Sequence, residues 1–428
     1  MSPDASIAPN RILVIGGGPA GMMAVISAAR CSAQAHSGVR VTLIEQLSRP
    51  GVKLLATGGG RCNLSNTLST AEYLVRLGSR GRFTGASLKA LSAGALRDFF
   101  REIGVETYSP DGFLVFPVSN SASDVRSALE KELRRLDVEI LTGTTARRLL
   151  VEDGAIVGIE TGDGPLPTCR VILATGGKSY PKLGGTAAGF DLAAQVGHEI
   201  VPPVPALVPI ITVEKWPGEC AGISIPEAEI WIEKAVLKSS RGTGGLLFTH
   251  SGISGPAVLD ISGEVAARVQ SGKTVKLSFK LSRFGSADDW RNILSLFRCQ
   301  GGARPVSMCL SKMLPARLAE ALCRAYGLPP DLRAAYLTRK QTQSFASFLA
   351  AVPLTAAGTE GFDKAMVTRG GVKLDVVDPL TLESRVARGL FFAGEVLDID
   401  GPCGGFNLQW AFSSGYLAGK SAASGMNG

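Results

Sequence analysis

The chain has 428 residues, of which 45% are hydrophobic and 19% are charged, and its formal net charge is +8. This length suits about two or three domains, and the composition is typical of a globular rather than a disordered protein. No apolar run approaches the roughly 18 residues of a membrane helix, and the opening residues lack the basic and apolar parts of a signal peptide, so we expect a cytoplasmic protein without a membrane partner.

A short apolar strand followed by a glycine turn opens the chain. Ile12 to Ile15 is predicted as a buried strand, Gly16, Gly18 and Gly21 match the pattern G-x-G-x-x-G, and Met22 to Arg30 is predicted as a helix. Such a turn aims backbone N–H groups and the positive end of a helix dipole at one point, which suits a pyrophosphate. Glycine turns of this kind also serve packing alone, so the motif by itself leaves both interpretations open.

A second strand supplies the context for this turn. Val39 to Ile44 is predicted as a buried strand, and it ends in Glu45, 24 positions beyond Gly21. A carboxylate near this spacing can accept both ribose hydroxyls of an adenosine. Together the two features predict a dinucleotide-binding fold, and Glu45 argues against a 2′-phosphate at this site.

The sequence pattern changes twice further along the chain. After Pro202, the stretches Glu229 to Leu237 and Thr274 to Leu281 alternate like half-buried strands, and helix signals follow in Pro315 to Tyr326 and Gln341 to Ala351. Apolar strand character returns beyond residue 360. We therefore predict an α/β dinucleotide-binding domain with two insertions. The predicted boundaries are 1–201 and 357–428 for the dinucleotide-binding domain, 202–282 for a β-rich insert and 283–356 for a helical insert.

The basic excess lies in one internal segment. Residues 231–345 contain 17 Lys and Arg against 7 Asp and Glu, a local charge of +10, whereas the remainder carries −2. Such a segment can be a solvated face, and it can equally be the electrostatic footprint of a polyanion. The sequence leaves both hypotheses open.

Cysteine and histidine spacing gives no sign of a metal site. The eight cysteines include no C-x-x-C pair, which disfavours both a zinc site and a disulfide framework. The three histidines, His36, His198 and His250, show no metal-ligand spacing. We expect no bound metal and reduced cysteines.

Two further segments pair a strand with a glycine turn. Val171 to Ala174 leads into Thr175-Gly176-Gly177, and Leu390 to Ala393 leads into Gly394-Glu395 and then into Gly404 to Asn407 before a last helix. An acidic residue after a late strand suits the ribityl hydroxyls of FAD, and a helix N-terminus can stabilise negative charge at flavin N1 and O2. This combination favours a flavin over NAD.

Two more stretches carry motifs: TGGGRCNLSN at 57–66 and LLFTHSGISGPAVL at 246–259. Together with the three glycine turns, they closely resemble the motifs of the BaiN/RdsA-like family of NAD(P)/FAD-dependent oxidoreductases. This family is also called the aminoacetone-oxidase-family flavoproteins. The resemblance runs in order over nearly the whole chain. It implies a two-dinucleotide-binding-type, Rossmann-like FAD domain with an inserted β-barrel-like domain and a small helical domain.

The resemblance also implies which residues bind FAD. Gly16, Gly18 and Gly21 would bind the pyrophosphate, and Glu45 the adenosine ribose. The remaining implied cofactor residues are Lys53, Thr57, Gly58, Gly59, Gly60, Arg61 and Asn63 on the phosphate and ring side, Thr175 and Gly176 behind the cofactor, and Glu395, Asp398, Gly404, Gly405 and Asn407 at the ribityl chain and flavin. Phe406 stands where a Tyr is more usual in the family, and it offers no hydroxyl at that position.

The activity implied by the resemblance is reduction of an activated C=C bond, with amine oxidation in some members. Flavin N5 would deliver hydride to one carbon, a positioned acid would protonate its neighbour, and NADH or NADPH would supply the electrons. Cys403 and His250 are candidate acids, with a packing role and a turn role as their respective alternatives. We expect Cys62 to pack and His198 to cap or anchor the helix before it.

Two substrate hypotheses remain open. Uridine of ribosomal RNA, reduced to dihydrouridine, is favoured by the basic segment, in which Lys273, Lys276, Lys280 and Arg283 would contact the RNA. The alternative is a small-molecule enone or amine, with the basic segment as a solvated face only.

Overall fold

The computed structural model describes residues 10–235, 240–281, 285–300 and 302–424. The chain divides into two compact units. The first unit comprises the chain up to Pro203 and from Val367 onward, and the second unit comprises Val204–Met366.

The strands of the described residues are β1 (Arg11–Ile15), β2 (Arg40–Glu45), β3 (Ser65–Asn66), β4 (Thr107–Tyr108), β5 (Leu114–Pro117), β6 (Glu139–Thr142), β7 (Ala146–Glu152), β8 (Ala155–Thr161), β9 (Gly164–Pro167), β10 (Arg170–Leu173), β11 (Ile200–Ala206), β12 (Ile210–Thr212), β13 (Ser224–Ile232), β14 (Arg241–Phe248), β15 (Gly252–Ser254), β16 (Val275–Leu281), β17 (Val352–Thr359), β18 (Val367–Val372) and β19 (Leu390–Phe392).

The α-helices of the described residues are α1 (Pro19–Ala35), α2 (Thr70–Arg76), α3 (Gly81–Ala90), α4 (Ala93–Glu102), α5 (Ala122–Arg135), α6 (Ala188–Gln195), α7 (Trp216–Glu219), α8 (Pro256–Gln270), α9 (Ala287–Gln300), α10 (Val306–Leu310), α11 (Ala316–Tyr326), α12 (Arg339–Ala350) and α13 (Phe406–Ser424).

A five-stranded parallel sheet forms the centre of the first unit, in the order β19-β10-β1-β2-β6. Val14 pairs with Ile172 on one side and with Leu43 on the other, and all three side chains are fully buried. Strands covered on both faces need continuous apolar runs, which is why β1, β10 and β19 are apolar throughout their centres. The carboxyl ends of all five strands lie at one edge of the sheet.

Helices α1 and α13 pack closely against each other in the first unit. A Cβ added to Gly415 would lie 2.2 Å from the Ala20 carbonyl oxygen, and one added to Gly419 would lie 2.2 Å from that of Ala24. Only glycine permits this approach, and the equal spacing on both helices shows that they run parallel. Their N-termini therefore point in the same direction, toward the carboxyl edge of the sheet, where β1 leads into α1.

The second unit contains a closed six-stranded barrel in the order β12-β15-β14-β13-β16-β17. Alternate residues of β16, Val275, Leu277, Phe279 and Leu281, are buried, as alternation in its sequence predicted. The barrel and helices α9 to α12 share one hydrophobic core. The last barrel strand, β17, follows those helices in the chain, so barrel and helices interleave within one compact unit.

The predicted fold class is confirmed: a Rossmann-type α/β domain is combined with a barrel and a helical part. Among the helices that the structure describes, none has the length and apolarity required to span a membrane.

Candidate functional site at the carboxyl edge of the sheet

The glycine turns predicted from the sequence meet at the carboxyl edge of the parallel sheet. Gly16 follows β1, Thr175 follows β10, Gly394 follows β19, and Glu45 is the last residue of β2. A Cβ added to Gly16 would lie 2.6 Å from the Ala174 carbonyl oxygen, so the first two turns are in contact. Ligands of open α/β sheets bind at this edge.

The three motif glycines of the first turn have different structural roles. Gly16 has φ of +103°, a conformation that side chains rarely adopt. A Cβ on Gly21 would lie 1.8 Å from the Gly16 carbonyl oxygen, so this glycine permits the helix to approach the strand. A Cβ on Gly18 would meet no atom within 4 Å, which leaves room for a ligand to approach the backbone. These roles match those of a pyrophosphate-binding turn.

The N-terminus of α1 adds positive potential to this open space. Gly18 caps the helix without a side-chain hydrogen bond, and the first turn carries no acidic residue. The N–H groups that begin a helix have no intrahelical partner, and the helix dipole favours a negative charge beside them. An anion would therefore be stabilised in front of Gly18.

Glu45 is fixed against the glycine turn. Its Oε2 accepts a hydrogen bond from the Gly17 amide at 2.7 Å, and its Oε1 accepts one from the Leu47 amide at 2.8 Å. The residue is 8% exposed. Each carboxylate oxygen can accept a further hydrogen bond, so Glu45 can still bind a pair of ribose hydroxyls.

Lys53 and Glu395, which lie far apart in the sequence, form an ion pair. Lys53 Nζ lies 2.9 Å from Glu395 Oε2 and donates to Ser179 Oγ at 2.6 Å. Glu395 Oε1 accepts from the Thr368 amide at 2.6 Å. Both ionic side chains retain about a quarter of their exposure, 26% and 21%. Sequence reasoning identified Lys53 and Glu395, but it missed Ser179 and Thr368.

The loop after Lys53 is a 3-10 helix, Lys53–Gly60, interrupted near its end. Thr57 Oγ1 donates to the Leu54 carbonyl at 2.6 Å, and a Cβ on Gly59 would meet no atom within 4 Å. The segment Gly58 to Gly60 is exposed. The open, glycine-rich backbone is suited to close approach by a ligand.

Arg61 and Cys62 have contrasting environments at the end of this loop. The Arg61 guanidinium lies 4.5 Å from the centre of the Phe116 ring and is exposed. The Cys62 side chain is completely buried, and burial raises the pKa of its thiol to about 12. A thiol that stays protonated is unreactive, so Cys62 packs as we expected.

Asn63 connects the glycine loop to the chain before α13. With its amide oriented to satisfy its neighbours, the side-chain oxygen accepts from the Gly405 amide at 3.0 Å, and the nitrogen donates to the Ser65 carbonyl at 2.9 Å. Asn66 Nδ2 donates to the Gly404 carbonyl at 2.9 Å. Asn63 thus positions the loop that carries Gly404 and Gly405, and its direct contact with a cofactor stays a prediction.

The side chain of Asn407 closes the loop that leads into α13. Its Oδ1 accepts from the Gly401 amide at 2.8 Å, and its Nδ2 donates to the Gly401 carbonyl at 3.0 Å. Cys403 lies within this loop and is half-buried. The loop therefore presents Cys403 and Gly404 on a backbone that Asn407 and Asn66 hold in place.

Asp398 belongs to a charge network that sequence reasoning missed. Its Oδ1 accepts from Arg80 at 2.8 Å and from the Gly370 amide at 3.0 Å. Asp400 accepts from Arg80 at 2.6 Å and from Arg369 at 3.1 Å. The Asp400 side chain is only 7% exposed, so its charge depends on these two cations. A direct role of Asp398 toward a flavin stays a prediction.

Four further residues were singled out from the sequence: Thr175, Gly176, His250 and His198. Thr175 Oγ1 is buried against Gly189 without a hydrogen-bond partner among the described residues, and a Cβ on Gly176 would be no closer than 4.0 Å to any atom. His250 is exposed at a bend in the second unit. His198 is buried, its amide donates to the Ala193 carbonyl at the end of α6, and burial lowers its pKa to about 4.

The basic residues predicted to contact RNA are only partly available. Lys273 and Lys276 are exposed, but Lys280 Nζ lies 2.8 Å from Glu229 Oε2. Arg283 lies outside the described residues. Counted from the sequence, the second unit has 19 Lys and Arg against 13 Asp and Glu, a charge of +6, and the rest of the chain carries +2. The charge contrast between the second unit and the rest of the chain is therefore smaller than that of segment 231–345, because acidic residues just outside that segment belong to the same unit.

Residues at the carboxyl edge thus fit the adenosine diphosphate half of FAD. Gly18 leaves an open cradle at a helix N-terminus, and Glu45 offers two acceptor oxygens beside it. A neutral or cationic ligand would gain nothing from this helix dipole, whereas a diphosphate would.

Comparisons with known proteins agree with the Rossmann-type fold. The family described as HI0933-like protein Rossmann domain matches residues 10–421. The chain is 37% identical over 421 residues to the 3-dehydro-bile acid delta(4,6)-reductase of Clostridium scindens, covering 97% of this chain and 99% of that relative. It is 32% identical over 417 residues to the ribosomal RNA dihydrouridine synthase of Escherichia coli, covering 94% of this chain and 96% of that relative. The solved structure of 3-ketosteroid delta1-dehydrogenase from Sterolibacterium denitrificans has a similar fold, with a TM-score of 0.51 at 13% identity, covering 97% of this chain and 100% of that one.

Proposed function

Because the chain belongs to the HI0933-like Rossmann-domain family, which is the family its motifs resemble, we propose that this FAD-dependent oxidoreductase reduces an activated C=C bond. The observation that carries the proposal is the pairing of Glu45 with the open glycine turn before α1. That pairing suits an adenine dinucleotide that has a free ribose and no 2′-phosphate.

Residues of the first unit would hold the cofactor. When bound, FAD supplies hydride chemistry at its N5 atom. Glu45 would accept the ribose hydroxyls, and the amides before α1 would bind the diphosphate. The N-terminus of α13 points in the same direction as that of α1, so it would favour negative charge on the flavin ring.

Proton transfer to the substrate needs an acid, for which Cys403 is our first candidate. It lies half-buried in the loop that Asn407 closes, directly before Gly404. His250 is the second candidate, an exposed histidine of the second unit. A Cys403→Ser variant that lost turnover but still accepted hydride from NADH or NADPH would support Cys403 as the acid, and unchanged turnover would exclude it.

Uridine of ribosomal RNA is our favoured substrate. The name of the Escherichia coli relative supports it, as do the exposed Lys273 and Lys276 and the net charge of the second unit. A small-molecule enone is the second candidate. The name of the Clostridium scindens relative favours it, and so does the ion pair that occupies Lys280.

One pair of measurements separates these two substrates. Dihydrouridine is mapped in ribosomal RNA from cells with and without this gene, and the purified protein is assayed with a steroid enone and NADH or NADPH. Loss of one dihydrouridine without the gene supports the RNA substrate. Unchanged RNA together with enone turnover supports the small molecule. Purified protein that contains no FAD and takes none up would refute both.

A further inference from the structure

Arg126 is a buried arginine whose charge is poorly satisfied within the chain. The residue is 8% exposed, and its Nε and Nη1 atoms are buried without a hydrogen-bond partner among the described residues. It forms an ion pair with Glu130, one turn along α5, with 3.5 Å between Arg126 Nε and Glu130 Oε1, too long for a good hydrogen bond. A buried guanidinium in this state is costly unless a ligand supplies an acceptor.

The side chain of Arg126 lies beside Gly51, a residue that is hydrogen-bonded to the glycine turn. Its Cγ and Cδ atoms are 2.8 and 3.0 Å from the position that a Cβ on Gly51 would occupy, and the Cε of Met22, in the first turn of α1, is 3.2 Å from the same point. The Gly51 amide donates to the Gly17 carbonyl at 2.9 Å. Arg126 is thus packed beneath the loop that joins β2 to the Lys53–Gly60 helix, next to the first turn of α1.

We propose that Arg126 is a further ligand of the FAD diphosphate and acts from α5 opposite the amides that precede α1. The inference rests on the proposed function. A guanidinium binds phosphate oxygens through paired, charge-assisted hydrogen bonds, and its planar donor set suits a diphosphate better than a ribose or an adenine. No sequence motif indicated this residue, because Arg126 lies within an amphipathic helix and is far along the chain from every glycine turn.

The test compares Arg126→Met with Arg134→Met, which removes an exposed arginine from the same helix. Apo-protein is titrated with FAD by flavin fluorescence, and ADP and adenosine are used as competitors. We expect Arg126→Met to weaken FAD and ADP at least about tenfold and to leave adenosine unchanged, since only the first two carry the diphosphate. Arg134→Met should bind all three like the parent.

The thermal stability of the apo-protein gives an independent readout. Methionine keeps the packed stem and removes two buried donors that lack hydrogen bonds, and the Glu130 carboxylate that it leaves unpaired is 22% exposed to water. The apo form of Arg126→Met should therefore melt no lower than the parent while it binds FAD more weakly. If that variant melts well below the parent, Arg126→Lys replaces it in the test. Lysine keeps the charge without the bidentate geometry, so Arg126→Lys should bind FAD less tightly than the parent. Parent-like FAD and ADP affinities in the folded variant would overturn the role of Arg126 alone. A parent that binds no FAD would overturn the proposed function as well.

Discussion

The Gly17 amide donates a hydrogen bond of 2.7 Å to Glu45 Oε2, which joins the turn after β1 to the end of β2. A Cβ on Gly17 would lie 2.8 Å from the same oxygen, so the contact needs both a glycine and a carboxylate. The carboxylate is therefore fixed in place within the chain itself, and a ligand does not have to order it.

Replacement of Glu45 by Ala should weaken FAD binding more than it alters the chemical step. Two charge-assisted hydrogen bonds to the ribose would be lost, at about 1.5 to 3 kcal/mol each, although the two losses need not add. The dissociation constant of FAD is measured by fluorescence, with the exposed Glu152→Ala as the control. Full flavin occupancy of the Glu45 variant in dilute solution would contradict the prediction.

Local sequence patterns predicted the parts of the site that depend on one strand and the turn after it. Ile12 to Ile15, the glycine turn and Glu45 all occur as predicted, because each follows from apolar runs, glycine spacing and strand length. The barrel strand at Val275–Leu281 also occurs within one residue of its predicted start, since alternation marks a half-buried strand.

Contacts between distant parts of the chain could not be predicted in this way. Arg80 and Asp398 are 318 positions apart, and Ser179 and Glu395 are 216 apart. No periodicity or spacing rule relates such residues, because their contact depends on how loops far apart in the chain come together in the fold. Asp398 was predicted from its motif as a cofactor residue, and its pairing with Arg80 becomes visible only in the folded chain.

Replacement of Arg80 by Met should destabilise the protein by about 2 kcal/mol, because it leaves Asp398 and the nearly buried Asp400 short of a cation. Arg369 still pairs with Asp400, so the loss should be smaller than for a fully unpaired buried charge. Urea unfolding measures this loss in the free energy of unfolding. Arg101→Met, which breaks exposed pairs with Asp98 and Glu106, should change the free energy of unfolding by less than about 0.5 kcal/mol. Equal effects of the two variants would refute a structural role for the network.

His198 should make stability depend on pH in acid. Burial lowers its pKa from 6.5 to about 4, so between these values the unfolded chain binds a proton that the folded chain does not. Its contribution to stability is therefore complete above pH 6.5 and falls as the pH approaches 4, by about 1.4 kcal/mol for each unit of pKa difference. His198→Gln should flatten the profile of unfolding free energy over this range, whereas His36→Asn, at an exposed site, should not. A parent profile that His198→Gln leaves unchanged would contradict this assignment.

Charge reversal at Lys273 and Lys276 tests the RNA hypothesis without disturbing the barrel. Lys280 is left intact, because a glutamate there would face Glu229, its partner at 2.8 Å, and repulsion would destabilise the sheet. If the two exposed lysines contact phosphates, the double variant should bind RNA more weakly, and the slope of log K against log salt should become shallower by about 1.4, since each contact on a single strand contributes about 0.7.

The matched control for that variant reverses Lys89 and Lys131, two exposed lysines of the first unit, and so changes the net charge by the same amount. FAD content should stay at the parent level in both double variants, because none of these lysines belongs to the turns that follow β1, β2, β10 and β19. A general effect of charge would weaken RNA binding equally in the two. Parent-like RNA affinity and salt slope in the Lys273 and Lys276 variant would exclude these two lysines as the RNA contact. The result would then favour the small-molecule substrate over RNA.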